Sequence, residues 1–284
     1  MKKIIIFMIT FCAISTFGQT KAENEESPKN TCWYVGNVLD GKLHGKGTLT
    51  YICDNKYHEF YKYQSYEGDW VEGKKHGYGT FIWKNGDKYV GYWSNDKANG
   101  QGTMKWANGD KYVGEWKNDI PHKGTITYAP DDISGRVSYE GDGNIMHGHG
   151  SMAWKNFSIT GDWAFGLIKK GVPVLHHEYQ VDSQDTLNYA NGNRYIGKTK
   201  NGNCNGLGIL YYADGGFYIG SWKDNQKDGA GVYYSKDELA EGFWENDTLK
   251  TGRRTIYEEE HIKLATWKNG ECVSLSFSGK ILRE

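Results

Sequence analysis

Two consecutive segments of this 284-residue chain match at nearly every structural position: YEGDWVEGKKHGYGTFIWKNGDK, from Tyr66, and YVGYWSNDKANGQGTMKWANGDK, from Tyr89. Each opens on aromatic–x–Gly–x–Trp, passes a polar turn into Gly–x–Gly–Thr, and closes on an alternating run, a Trp and Asn–Gly–Asp–Lys. Identity at a fixed step of 23 residues constrains the fold more than any other feature. A unit this short cannot bury its apolar face alone, so copies must stack on one another.

Within a unit the periodicity is that of a strand. In Tyr66–Glu67–Gly68–Asp69–Trp70 the two aromatics and the glycine share one face, and the acids point away. Phe81 and Trp83 share a face in the same manner. Asn85–Gly86, Asn108–Gly109, Asn191–Gly192 and Asp214–Gly215 are strong signals for two-residue hairpins, whose central residues both need positive φ. The expected unit is strand, glycine-rich turn, strand, tight turn. Gly68, Gly91, Gly114 and Gly220 read as structural glycines, because a glycine weakens a strand unless something approaches it closely. The expected visitor is an aromatic ring of the neighbouring hairpin.

Copies of the unit organise most of the chain. Residues 1–18 read as a signal peptide: Lys2 and Lys3, an apolar run Ile4 to Ile14, then small residues ending at Gly18. Residues 19–31 form a polar linker, and residues 32–171 a first array with an insertion at 52–65. An irregular break at 172–188 precedes a second array at 189–246 and a degenerate terminal cap at 247–284. The leader places the protein outside the cytoplasm of a bacterium (periplasmic, outer-surface or secreted).

Tyr66–Glu67–Gly68–Asp69–Trp70, Gly73–Lys74–Lys75–His76–Gly77–Tyr78–Gly79 and Asn85–Gly86–Asp87 resemble the MORN (membrane occupation and recognition nexus) repeat. The resemblance covers most of Trp33 to Trp244 in about eight or nine copies of varying quality. It implies an all-β fold: an elongated, single-layered antiparallel β-meander of tandem hairpins with an aromatic-lined groove. It also implies a scaffold, a dimerisation surface or a membrane-associated adaptor.

Composition narrows the partners. Lysine plus arginine total 34 and aspartate plus glutamate 35, so no charge excess draws the chain to nucleic acid or anionic lipid. The expected partner is a protein or a second copy, with a glycan or a membrane as alternatives. No cofactor and no metal are expected. His44, His76 and His147 occupy one repeat position, filled elsewhere by Asn99, Asn205 and Asp228. Equivalent residues of successive repeats stand roughly 10 Å apart, against a zinc–nitrogen bond of about 2.0–2.1 Å, so these read as turn residues. Asp69 with Glu72, or Asp142 with Asp162, could be named as carboxylate pairs for hydrolysis, but they occupy routine outward or turn positions among lysines. After the leader four cysteines remain; Cys32 and Cys53 flank the first hairpin and read as a disulfide, leaving Cys204 and Cys272 as a pair.

The aromatic groove is the remaining candidate site: Tyr66, Trp70, Trp83, Tyr89, Trp93, Trp106, Tyr112 and Trp116. The expected function is a non-enzymatic scaffold or protein-binding module. Glycan or envelope binding on exposed groove rings is the alternative, and a hydrolase the third reading. Rings sealed by their neighbours favour the scaffold; rings standing open favour the glycan.

Overall fold

Along Lys111–Lys117 every second residue is buried, the pattern of a strand that covers one face of a sheet. The computed structural model describes residues 5–10, 30–53, 63–142, 148–164, 167–176, 185–258 and 261–278, and among these the only regular structure is β-strand. There are two antiparallel sheets in which spatial order follows sequence order, thirteen strands ending at Leu167–Leu175 and nine beginning at Asp185–Asn188. Two compact units are present, Met1–Ile126 and Thr127–Glu284. Much of the expected leader, the linker and residues 54–62 of the insertion lie outside the described residues; Ile5–Thr10 is a strand beside Asn30–Leu39. Val172–Leu175, expected to be irregular, completes a strand paired with Phe157–Thr160.

In the first unit the glycines fall into register. Gly36, Gly47, Gly68, Gly79, Gly91, Gly102 and Gly114 face one another across successive strands, forming a row perpendicular to the chain. A Cβ on Gly68 would stand 2.5 Å from the Tyr66 hydroxyl and 2.6 Å from the Gly79 Cα. The equivalent contacts of Gly91 are 2.6 Å to the Tyr89 hydroxyl and 2.5 Å to Gly102, and at Gly114 the Tyr112 hydroxyl is 2.6 Å away. The visiting ring therefore comes from the glycine's own strand, two residues earlier, and not from the neighbouring hairpin. Residues i and i+2 share a face, so the tyrosine lies down along its strand, and its hydroxyl donates to the carbonyl three residues on: Tyr66 to Asp69 at 3.1 Å, Tyr89 to Tyr92 at 3.1 Å, Tyr112 to Glu115 at 3.0 Å.

The turns also differ from the sequence reading. Both central residues have positive φ at Asn95–Asp96 and Asn118–Asp119, so these are the two-residue hairpins. At Asn85–Gly86 only the glycine does (φ 95°), and the Gly86 N–H donates to the Trp83 carbonyl at 3.0 Å, closing a longer loop. The histidine position is not a turn either. His76 precedes Gly77 (φ 58°) at a bulge where the register slips between Gly68–Gly79 and Asp69–His76, and the glycine, not the histidine, takes the left-handed conformation.

The second unit repeats the glycine register, in Gly141–Gly150–Gly161–Gly171 and again from Gly197 through Gly208, Gly220, Gly231 and Gly242 to Gly252. Gly220 has the Tyr218 hydroxyl 2.7 Å and the Gly231 Cα 2.5 Å from its Cβ position. This unit buries its other face as well. Ile209, Ile219 and Val232 pair across strands and are buried, and the row continues to Glu241 and Arg253. The loop at 129–136 meets that row through buried charges. Asp132 pairs with Arg136 at 2.8 Å and with Arg253 at 3.5 Å, and Arg136 lies 4.0 Å from Glu241 and stacks 4.2 Å over the Tyr128 ring.

Candidate functional site

The opening tryptophans stand between tyrosines. Trp93 meets Tyr66 edge-on at 5.4 Å and Tyr89 at 5.1 Å; Trp116 meets Tyr89 at 5.0 Å and Tyr112 at 5.3 Å. Trp70 joins the series with Tyr66 at 4.9 Å and Tyr34 at 5.8 Å. T-shaped contacts set the positive edge of one ring against the negative face of the next, which adds to the gain from burial. The indole N–H reaches back one repeat to a glycine carbonyl, Trp70 to Gly47 at 3.1 Å and Trp93 to Gly79 at 3.3 Å. Tyr195, Trp222, Tyr218 and Trp244 build the same ladder in the second unit, where Trp222 donates to Gly208 and Trp244 to Gly231.

The residue opposite each tryptophan across its hairpin covers the ladder. It is Lys75 opposite Trp70, Ala98 opposite Trp93 and Lys227 opposite Trp222. The Lys75 ammonium sits 4.5 Å from the Phe81 centroid and 4.7 Å from that of Trp93; Lys227 lies 5.0 Å from both Tyr233 and Trp244. Burial pushes both amines below their ordinary range, opposed by Asp96 and Asp119 at Lys75 and by Asp247 and Glu238 at Lys227. Burial also raises the phenols, Tyr112 to about 12.

Of the eight expected site residues, Tyr66, Trp70, Tyr89, Trp93, Tyr112 and Trp116 are buried in this ladder. Trp83 and Trp106 are half-buried near strand ends. None of the six ladder rings offers a free face for stacking. Two exposed aromatics of this sheet lie on the opposite face: Tyr78 and Tyr92, each 50 % accessible, pair across strands with their rings 5.3 Å apart. Beside them the row Val35–Thr48–Glu67–Thr80–Val90–Thr103–Val113 crosses the sheet, with Val35 and Val113 exposed.

The expected reactive groups do not converge. Both oxygens of Asp69 are engaged, one by Lys46 at 2.8 Å and the other by the Tyr78 N–H at 3.0 Å. Partial burial opposes its charge, yet these partners hold its carboxyl below the usual range. Glu72 occupies a hairpin turn at φ 49°. Asp162 pairs with His149 at 3.1 Å on an exposed surface, while the side chain of Asp142 lies outside the described residues, as does His147. No group of three metal-ligating side chains occurs among the described residues. Cys32 is buried opposite Tyr51, two positions from Cys53, whose side chain lies outside the described residues and with it the expected bridge. Cys204 and Cys272 are free thiols, the first buried beside the Tyr189 hydroxyl and the second exposed, so the expectation that they pair is not met.

The tyrosine–glycine–tryptophan ladder is the structural form of a known repeat. The MORN repeat matches at residues 34–52, 66–88, 89–111, 112–132, 142–159, 195–217 and 218–238. This chain belongs to the MORN-repeat family. Its seven matched copies are fewer than the about eight or nine read from the sequence, although the MORN geometry continues into Gly242–Gly252 and Trp244. No curated protein matches the chain as a relative.

Sequence reasoning missed Tyr78 and Tyr92. Both stand between repeat-defining residues, Gly77 and Gly79 or Gly91 and Trp93, which carry the stronger pattern. The signal available was parity: each is one residue out of step with the buried positions of its strand.

Proposed function

We propose that the protein is a non-enzymatic binding scaffold that engages a protein partner through the exposed face of its first unit. The leader reading makes it an exported one. The observation that carries this is the division of labour between the two faces. The six ladder rings seal one another, whereas Tyr78, Tyr92, Val35 and Val113 leave an aromatic and β-branched surface open on the other side. Tyrosine at an exposed, rigid position supplies large contact area at low cost in side-chain entropy. The surface is read as a place of contact because its exposed rings and β-branched side chains offer area for burial.

The test is capture from the envelope fraction of the source cell with the mature chain as bait. The double variant Tyr78→Ala/Tyr92→Ala is expected to keep the melting temperature and lose the captured protein. Undiminished capture by that variant removes the exposed face from consideration.

A further inference from the structure

One place on the exposed face is shaped to take a particular side chain. An open concavity of about 520 Å³ is lined by Lys46, Gly47, Thr48, Glu67, Gly68, Tyr78, Gly79 and Thr80. Its floor is the backbone of Gly47, Gly68 and Gly79, which stand in register and turn their Cβ positions to the ladder face. The bulge at Gly77 lifts one wall: the Tyr78 N–H turns to Asp69, and the Tyr78 ring stands half exposed at the rim. The other wall is the cross-strand trio Thr48–Glu67–Thr80.

The charges in this trough are unequal. Asp69 and Lys46 neutralise each other at 2.8 Å. Glu67 is exposed, and its carboxylate has no hydrogen bond or ion pair among the described residues. The following repeats place Val90 and Val113 at its position in the row, so a carboxylate there is not needed for the fold. A carboxylate and a phenol ring lining one backbone-floored trough suit a planar cation, which can donate two hydrogen bonds to the carboxylate and lie against the ring.

Resting on the protein-binding reading above, we infer that this trough is an arginine-binding subsite. A partner's extended peptide segment seats one guanidinium between Glu67 and Tyr78, with the hydroxyls of Thr48 and Thr80 beside it. Lysine fits less well, since its ammonium is a point charge with no plane to stack.

The experiment pans a displayed library of short random peptides on the full mature chain, in parallel with a panel of neutral oligosaccharides. Selected peptides are then resynthesised with arginine or its uncharged isostere citrulline and measured by calorimetry. The expected result is enrichment of arginine. Affinity should fall about tenfold or more with citrulline or with Glu67→Val, the size of one charge-assisted hydrogen-bonded contact. Glu67→Val borrows the residue of the sister repeats, and an unchanged melting temperature shows that it folds. Selected peptides that lack a basic residue and ignore Glu67→Val, yet are lost with Tyr78→Ala/Tyr92→Ala, overturn the arginine subsite and leave the protein-binding face standing. Oligosaccharide binding with no peptide selected overturns both.

Discussion

Tyr66 fills the space that a side chain on Gly68 would need, its hydroxyl lying 2.5 Å from the absent Cβ. The opposite Gly79 Cα is 2.6 Å from the same point, so the crowding comes from backbone as well as from a ring. Gly68→Ala is therefore expected to cost about 3 kcal/mol, the upper end of the overpacking range. Gly73 makes the control. Its φ is 83°, but nothing lies within 4 Å of its Cβ position, so Gly73→Ala carries only the backbone penalty of about 1 kcal/mol. Urea unfolding of the two variants side by side checks the difference.

Trp93 and Tyr92 are adjacent and point to opposite faces. Trp93→Ala removes a ring that contacts Tyr66 and Tyr89 and donates to Gly79, and is expected to cost about 3–5 kcal/mol. Tyr92→Ala removes a half-exposed ring and should cost about 1 kcal/mol or less. Thermal melts that rank the pair the other way would reverse the assignment of faces.

Asn118–Asp119 forms a two-residue hairpin in which glycine at the second position would suit the positive φ of 70°. Asp119→Gly is nonetheless expected to destabilise, by about 1 kcal/mol net. The Asp119 carboxylate accepts the buried Ala98 N–H of the preceding repeat at 2.7 Å, and that bond outweighs the relief of backbone strain. A denaturation midpoint above that of the parent would show that the turn is a local device with no role between repeats.

The ladder phenols link stability to alkaline pH. Tyr66, Tyr89, Tyr112, Tyr195 and Tyr218 are all raised by burial above the ordinary value of 10.0. In the unfolded chain they lose protons near that value, while the folded chain keeps them. Stability present below pH 10.0 is therefore lost as pH rises through it toward the folded pKa values. Lys75 and Lys227 act in the opposite sense, because their folded pKa values are lowered: stability rises with pH between those values and the unfolded 10.5. The share of tyrosinate absorbance that comes from the ladder phenols is expected to appear together with loss of the far-UV strand signal on alkaline titration, and its appearance before that loss would contradict this account.

Arg136 sits among Asp132, Glu241 and the Tyr128 ring, with its side chain only 9 % accessible. Arg136→Met leaves two carboxylates in a site where burial already raises Glu241, and is expected to cost about 3–5 kcal/mol, as for the loss of one partner of a buried pair. Hydrogen exchange should show the effect first in the 129–136 loop and in Glu238–Glu245. Uniform loss of protection over the whole second unit would argue against a local latch.

How much of this was legible depends on the range of the interaction. Strands, hairpin spacing and the buried parity of Tyr66, Gly68 and Trp70 follow from the period of the sequence. What the ring does to the glycine was not legible, because a visitor from the same strand and one from a neighbour leave the same pattern of residues. The turns at Asn85–Gly86 and Asn95–Asp96 were interchanged for a related reason. Asn–Gly is the stronger local signal for positive φ, but the Lys75 N–H that donates to the Asp96 carboxylate at 2.9 Å lies 21 residues away. The buried outer face of the second unit had a trace in the sequence, since Ile196, Ile209 and Ile219 stand where Glu67, Thr80 and Val90 stand in the first. The loop and arginines that meet that face had none.

The indole bonds from Trp70 to Gly47 and from Trp93 to Gly79 give the array a grammar. A unit with this bond carries a donor that its predecessor accepts; the Trp116 indole N–H, buried without a partner, is an exception. Removal of one full 23-residue unit rejoins a donor to an acceptor of the same kind, whereas removal of part of one strands both. Such a chain can change length in evolution or in the laboratory only by whole words, and the spacing between any two features on its exposed face changes in the same fixed increments.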